Sequence, residues 1–348
     1  METHTIEEKE RFVFEQVVLN MANYKRTMNA KIEHNIANFN KLSDSHKKLL
    51  PAREKYFEDQ KLAIVSRILD LKLLVLRSKF FKTRQHERVV TTLKQIMRDW
   101  SELGEKERST SYGPILDILN SEFPVENTDR TDIHVLTPGC GLARLAWEIF
   151  SHGFQSEGCE FSWYMILTSR FILNNSAGDA AQSDLANYRI HPFLHETSNL
   201  LSWQDALKEV RFPDINPAET PEEGGKMSFG AGEFLDLYFE EKWNAVATCF
   251  FIDTAHNVIE YVEKIFRILK PGGLWINNGP LMYHFANTSE MSLELSWNEL
   301  RSVILLTGFE LELEDSEKCS YVENPASLLT QEFKTILFTA RKPLSTAT

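Results

Sequence analysis

The chain has 348 residues, enough for two domains or for one large domain with an appendage. Hydrophobic residues make up 43% and charged residues 25%, as in soluble globular proteins, and the net charge of −12 argues against general nucleic-acid binding. The four cysteines, Cys140, Cys159, Cys249 and Cys319, have no metal-like pairing and favour a reducing compartment over a disulfide framework. METHTIEEKERF at the start has neither the apolar core of a signal peptide nor an arginine-rich transit pattern. The run Ile68 to Leu76 contains Asp70 and Lys72 and is too short to span a bilayer. A soluble protein is expected, in the cytoplasm with the nucleus as a second compartment, and without membrane or metal partners.

Residues 1–128 read as helical. Val17, Met21, Tyr24, Met28, Ile32, Ile36 and Phe39 form one stripe at spacings of three and four. Leu62, Val65, Leu69, Leu73, Leu76 and Phe80 form a second; Val89, Leu93, Ile96, Met97 and Trp100 a third; Ile115, Ile118 and Leu119 a fourth. The opposite faces mix both signs of charge, which suits helix packing better than a membrane surface. A homodimer surface is the remaining alternative.

From Ile133 the pattern becomes alternately strand and helix. Ile133–Leu136 predicts a strand, Thr137–Gly141 a tight turn, and Leu142, Leu145, Ala146 and Ile149 a helix that Gly153 ends. Backbone at such a turn can approach a ligand closely. The spacing is Gly139-x-Gly141-x-x-Arg144, so the third glycine of a dinucleotide fingerprint is missing. Phe154–Cys159 predicts a second strand ending at Glu160, the position from which a carboxylate grips ribose hydroxyls. A helix follows over Ser162–Asn174, then an insertion over about 175–226. Pro192 between His191 and His195 disfavours a helical metal pair there.

Met227–Phe229 predicts the third strand. In Ala231-Gly-Glu-Phe234, Glu233 could accept from an adenine amino group while Phe234 packs on the base; a helix cap with a core phenylalanine is the alternative. Ala245–Ile252 is almost continuously apolar, as in a strand buried on both faces. Val258, Val262, Ile265, Phe266 and Leu269 then predict a helix running to Lys270, stopped by Pro271-Gly272-Gly273 before a fifth strand over Leu274–Asn277. Asp253 and the segment after Asn277 should therefore face a site at the carboxyl ends of the strands. Asp253 as a helix N-cap is the plainer alternative. A helix over Leu293–Leu306 and strands over Gly308–Glu314 and Thr335–Ala340 complete the chain.

Strand, acidic end, helix and LKPGG resemble the centre of class I S-adenosylmethionine-dependent methyltransferases. Several stretches resemble the carnosine N-methyltransferase family in particular: TLKQIMRDWS (Thr92–Ser101), LTPGCGLARLAWEI (Leu136–Ile149), GCEFSWYM (Gly158–Met165), AGEF (Ala231–Phe234), ATCFFIDTAHNVIEY (Ala247–Tyr261) and LKPGGLWINNGPLMYHF (Leu269–Phe285). The resemblance covers roughly residues 90–342 and implies an α/β fold. A Rossmann-like class I methyltransferase sheet over 129–348 would stand with a helical N-terminal region, 1–128, that contributes to the cofactor pocket. It implies S-adenosyl-L-methionine as cofactor, with Gln95 and Arg98 at the methionine carboxylate and Gly139 and Gly141 along the methionine. Glu160 would take the ribose, Glu233 and Phe234 the adenine, and the backbone around Cys249 would border the cofactor. From the residues alone, Gln95 and Arg98 read as a solvated helix face. The family usually carries Asp where Glu233 stands.

The implied reaction methylates a ring nitrogen of a small histidine-containing dipeptide, carnosine to anserine. Asp253 would hold or accept the imidazole proton and His284 would bind or orient the substrate, with Tyr283, Tyr321 and Phe333 as neighbours. One departure stands out: where vertebrate-like members carry Tyr-x-Tyr before the last strand, this chain has Gln331-Glu332-Phe333. That leaves a histidine in another peptide or protein as an alternative substrate. A nicotinamide dehydrogenase and a non-catalytic scaffold are the readings outside the family.

Overall fold

The structure, a computed structural model, describes residues 6–65, 86–175, 188–218 and 225–344. Leu69, Leu73, Leu76 and Phe80 of the second expected stripe, the run Ile68–Leu76, and parts of the expected insertion (176–187 and 219–224) lie outside the described residues. Contacts divide the chain into two compact units. One is Met1–Gly104, Gly178–Asn216 and Val322–Thr330; the other is Glu105–Ala177, Pro217–Tyr321 and Gln331–Thr348.

The first unit contains helices α1 (Ile6–Asn40), α2 (Asp44–Lys48), α3 (Arg53–Val65) and α4 (His86–Trp100). Helical periodicity gives α1 a buried row of Val17, Tyr24, Met28, Ile32 and Phe39, and Phe39 meets Phe57 of α3 edge-on at 5.9 Å. α4 buries Val89, Leu93, Ile96, Met97 and Trp100, as the third stripe predicted. Residues 188–218 add a small antiparallel ladder, Tyr188–Ile190 with Val210–Phe212. Lys94 bonds Glu196 at 2.9 Å, and Asn324 bonds the other oxygen of the same carboxylate at 2.9 Å. His191 turns its Nδ1 to the Leu207 carbonyl, 2.8 Å away.

The second unit is the α/β sheet. Its strands are β1 (His134–Pro138), β2 (Gln155–Glu160), β3 (Met227–Ala231), β4 (Trp243–Cys249), β5 (Leu269–Gly279), β6 (Glu310–Cys319) and β7 (Phe333–Arg341). Its helices are α5 (Glu105–Ser111), α6 (Gly113–Glu122), α7 (Arg144–Ser151), α8 (Trp163–Asn175), α9 (Val258–Ile268) and α10 (Trp297–Thr307). The strand order is β3-β2-β1-β4-β5-β7-β6, with β7 antiparallel between β5 and β6 and the first five strands parallel. This is the Rossmann-like arrangement with a terminal antiparallel pair that the strand pattern predicted. The order reverses between β1 and β4, which is where such sheets open a crevice.

Both faces of the sheet are covered, so the central strands read as apolar throughout. Val135, Ala245, Ala247, Leu274 and Ile276 pack against Ile115, Leu119, Leu145 and Ile149 on one face. Leu136, Val246, Trp275 and Phe338 pack against Val258, Val262, Ile265 and Ile304 on the other. Several boundaries differ from expectation: α10 starts at Trp297 rather than Leu293, and β6 runs on to Cys319 rather than Glu314. β4 stops at Cys249 rather than Ile252, because Phe250 takes φ +51 and breaks the extended chain. α9 ends at Ile268, short of Lys270. Pro271-Gly272-Gly273 belongs to β5: Leu269 pairs with Trp243, and Gly272 and Gly273 exchange backbone hydrogen bonds with Lys342 at 2.8 and 2.9 Å.

A buried polar chain crosses the sheet centre. Trp275 Nε1 donates to Thr248 Oγ1 at 2.9 Å, Thr248 lies 2.9 Å from Asn277 Oδ1, and Asn277 Nδ2 donates to the Ile336 carbonyl at 2.9 Å. Thr248 and Asn277 have no exposed surface, so a lost partner cannot be replaced by water. Thr248→Val keeps the shape but strips Trp275 and Asn277 of a partner; it should cost about 1–3 kcal/mol in urea unfolding. Thr248→Ser, which keeps the hydroxyl, should cost about 1 kcal/mol.

Candidate active site

The site residues expected from the sequence in the second unit gather at one end of its sheet. Gly139 follows β1, Glu160 ends β2, Glu233 follows β3 and Cys249 ends β4. Asp253 and His284 lie just beyond β4 and β5. Because β7 runs antiparallel, its first residue, Phe333, stands at that same end, paired with Cys319 of β6 and next to the turn that carries Tyr321. Gln95 and Arg98 belong to the first unit. They are not the solvated face that their spacing alone suggests: both are buried on α4, and Arg98 bonds the buried Asp99 carboxylate at 2.7 Å.

The β1 turn needs its glycines for two different reasons. Gly139 and Gly141 adopt φ +61 and +55, in the left-handed region. A Cβ on Gly139 would run into the Phe251 ring, whereas a Cβ on Gly141 would meet open space. Glu160 is 7% exposed and accepts backbone N–H groups from Gly141, Phe161 and Ser162 at 3.0, 2.9 and 2.8 Å. Burial raises its pKa, and the three donors pull the other way. A carboxylate offers about four lone-pair sites and three are taken, so the buried Glu160 keeps room to accept from one further hydroxyl, on Oε2. Glycine backbone beside open space and a fixed acceptor at the next strand end fit the adenosyl and methionine parts of S-adenosylmethionine.

Glu233 precedes a short 3₁₀ turn, Phe234–Asp236, without capping it. Burial raises the Glu233 pKa, Asp236 adds to the rise and His256 opposes it. Phe234 is 3% exposed and stands edge-on to Phe251 and Tyr261, with centroids at 5.6 and 5.4 Å, so its ring is part of the core. Cys249 directs its thiol to the Ser111 carbonyl at 3.6 Å, a packing role.

Asp253 sits in a 3₁₀ turn, Ile252–Thr254, and is 2% exposed. It does not cap α9; the cap is Asn257, whose side chain accepts the Ile259 N–H at 3.2 Å. Instead Asp253 grips the segment after β5 from both ends. Its carboxylate accepts the Met282 N–H and its carbonyl the His284 N–H, each at 3.0 Å. Burial pushes its pKa up to about 6, against the pull of His284 and the Met282 amide toward the charged form. An open cleft of about 780 Å³ is lined by Met282, Tyr283, His284, Asn287, Glu294 and Ser296. Tyr283 is largely committed to packing, with its hydroxyl donating to the Leu295 carbonyl at 2.9 Å.

Nothing in the local sequence marks Phe250. Its φ of +51 swings the ring between Tyr321, stacked at 4.8 Å, and Phe333, edge-on at 5.8 Å. The one sequence signal for it is Gly279: a Cβ there would lie 3.0 Å from the Phe250 backbone nitrogen. None of the four cysteines is in a disulfide. Among the described residues no group of three or more metal-ligating side chains occurs, and no helix is long and apolar enough to cross a membrane.

The sequence profile of the carnosine N-methyltransferase family matches residues 77–344. The chain is 36% identical to mouse carnosine N-methyltransferase over 97% of its length and 88% of that protein's. It is 38% identical to carnosine N-methyltransferase of Schizosaccharomyces pombe, over 70% of this chain and 67% of that one. A further relative, carnosine N-methyltransferase unmet of Drosophila melanogaster, is 39% identical over 73% of this chain and 55% of its own. A strand order reversing between β1 and β4, glycines and an acid at the β1 and β2 ends, and this extent of identity place the chain in the carnosine N-methyltransferase family.

Proposed function

We propose that this chain methylates the imidazole ring of carnosine, giving anserine, with S-adenosylmethionine as methyl donor. The single observation that carries the reading is the buried Asp253, placed beyond β4 and joined to the His284 segment by two hydrogen bonds. When bound, S-adenosylmethionine supplies a methyl group on a sulfonium sulfur. The ring nitrogen that receives it must present a lone pair, so the proton has to sit on the other nitrogen. Asp253 holds that N–H, selects the tautomer, and stabilises or accepts the proton as the ring becomes positive. His284 orients the dipeptide from the cleft, and Glu160, Gly139 and Gly141 hold the donor. The names of the relatives support the same substrate. Gln331 and Phe333, in place of two tyrosines, favour a second reading with the same chemistry, a histidine in another peptide or protein.

Carnosine incubated with S-adenosylmethionine and the protein should gain the mass of one methyl group on the imidazole, seen by mass spectrometry. Asp253→Ala should lose that product by at least about a hundredfold. A wild-type protein that binds the cofactor but leaves carnosine unchanged would move the proposal to histidine-containing peptides.

Asp253 also sets a pH signature. Its folded-state pKa of about 6 lies above the unfolded carboxyl value, so the folded state binds the extra proton between those two values. Stability therefore falls as pH rises through that window and is lowest once the buried group is charged. Asp253→Asn removes the charge and keeps an acceptor for Met282. The variant should be inactive yet more stable than wild type above pH 6, by up to about 3 kcal/mol, with the difference vanishing near pH 4 in urea unfolding.

A further inference from the structure

The segment 280–296 joins β5 to α10 through turns, with a single bridge from Leu293 to Asn257. It carries His284, which is exposed, so the placement of that side chain depends on what pins the segment. Asp253 pins its beginning. The remainder is gripped by His256, three residues after Asp253 in the same β4–α9 connection. The His256 ring stacks on Phe285, the next residue after His284, with centroids 3.6 Å apart and planes at 23°. Its Nδ1 lies 2.8 Å from the Met291 carbonyl, which can only accept, so Nδ1 carries the hydrogen. Its own carbonyl accepts the Leu293 N–H at 2.9 Å. Nε2 stands 3.7 Å from Glu290, but both side chains are about half exposed and such a pair contributes little.

We infer that His256 is a positioning residue for the reaction proposed above: it holds Phe285 and Met291, and through them fixes His284 over the substrate cleft. The inference rests on that reading only for its kinetic consequence; the clamp itself is a matter of geometry. A displacement of about 1 Å in a substrate-holding group can cost about a hundredfold in rate. His256 is half exposed and outside the core, so its ring can be removed without opening a cavity. Its role can therefore be separated from general folding.

The test uses the full chain with His256→Ala, and with His256→Asn, whose amide nitrogen can stand in for Nδ1. Kinetics with carnosine and S-adenosylmethionine are paired with hydrogen exchange of 281–296 in the protein alone. In His256→Ala, kcat/KM for carnosine should fall about tenfold or more, with the KM for S-adenosylmethionine within about twofold of wild type. Amide exchange across 285–293 should speed up, while the exchange of β4 and β5 stays as in wild type. His256→Asn should recover part of both losses. Unchanged carnosine kinetics in His256→Ala, or an Asn variant as impaired as Ala with S-adenosylmethionine equally affected, would overturn the inference. If wild type leaves carnosine unmethylated, the reaction has failed rather than the clamp. Exchange then decides alone: faster exchange in His256→Ala supports the clamp and unchanged exchange sinks it.

Discussion

A carboxyl group buried at 2% exposure is costly, and Asp253 offsets only part of that cost with a backbone N–H from the next strand's exit. The geometry of the site follows from this. Because the Met282 N–H points at the carboxylate, the chain leaving β5 must turn back over the end of β4. Because the His284 N–H bonds the Asp253 carbonyl, these two residues are held together through backbone rather than through side chains that could rotate. The burial that raises the Asp253 pKa to about 6 leaves the carboxylate charged at neutral pH and basic enough to take a strong hydrogen bond.

The same crossing explains the strained backbone at Phe250. A non-glycine residue at φ +51 is uncommon, and it persists here because its neighbours over-determine it. Its N–H bonds the Asn278 carbonyl at 3.0 Å, Gly279 leaves room for its backbone, and its ring is held between Tyr321 and Phe333. Asn278 is anchored in turn: its amide bonds the carbonyls of Thr110 and Ser111, and Thr335 donates to its side-chain oxygen at 2.6 Å. The end of α5, three strand ends and the aromatic trio thus form one connected support under the site.

How much of this could be read in the sequence depends on whether the cause was local. Parallel strands buried on both faces announce themselves as continuous apolar runs, so β1, β4 and β5 were legible, as were the glycine turn and the acid at the end of β2. Boundaries set by distant partners were not. LKPGG reads as a helix stop and a turn, yet Gly272 and Gly273 pair with Lys342 about seventy residues away and so belong to the strand. Phe250 looks like one more strand residue, because a left-handed φ leaves no mark on a phenylalanine. Gln95 and Arg98 at i, i+3 look like a solvated face, and only tertiary burial distinguishes them. His256 reads as a residue of a helix entrance, since its partners Phe285 and Met291 are remote in sequence.

The Gln331-Glu332-Phe333 departure can be weighed on the same physical terms. Phe333 opens β7 and supports Phe250 with its ring edge, a contact that needs the aromatic ring and no hydroxyl. A phenolic oxygen at that position would add a hydrogen-bonding group to the substrate side while leaving Asp253, Met282 and His284 where they are. In the proposed reaction, loss of the hydroxyl would bear on which polar groups of a substrate can be recognised, whereas tautomer selection would depend on the carboxylate and on the backbone that holds it. The proposed reaction therefore assigns substrate breadth and methyl transfer to different residues at the same sheet end.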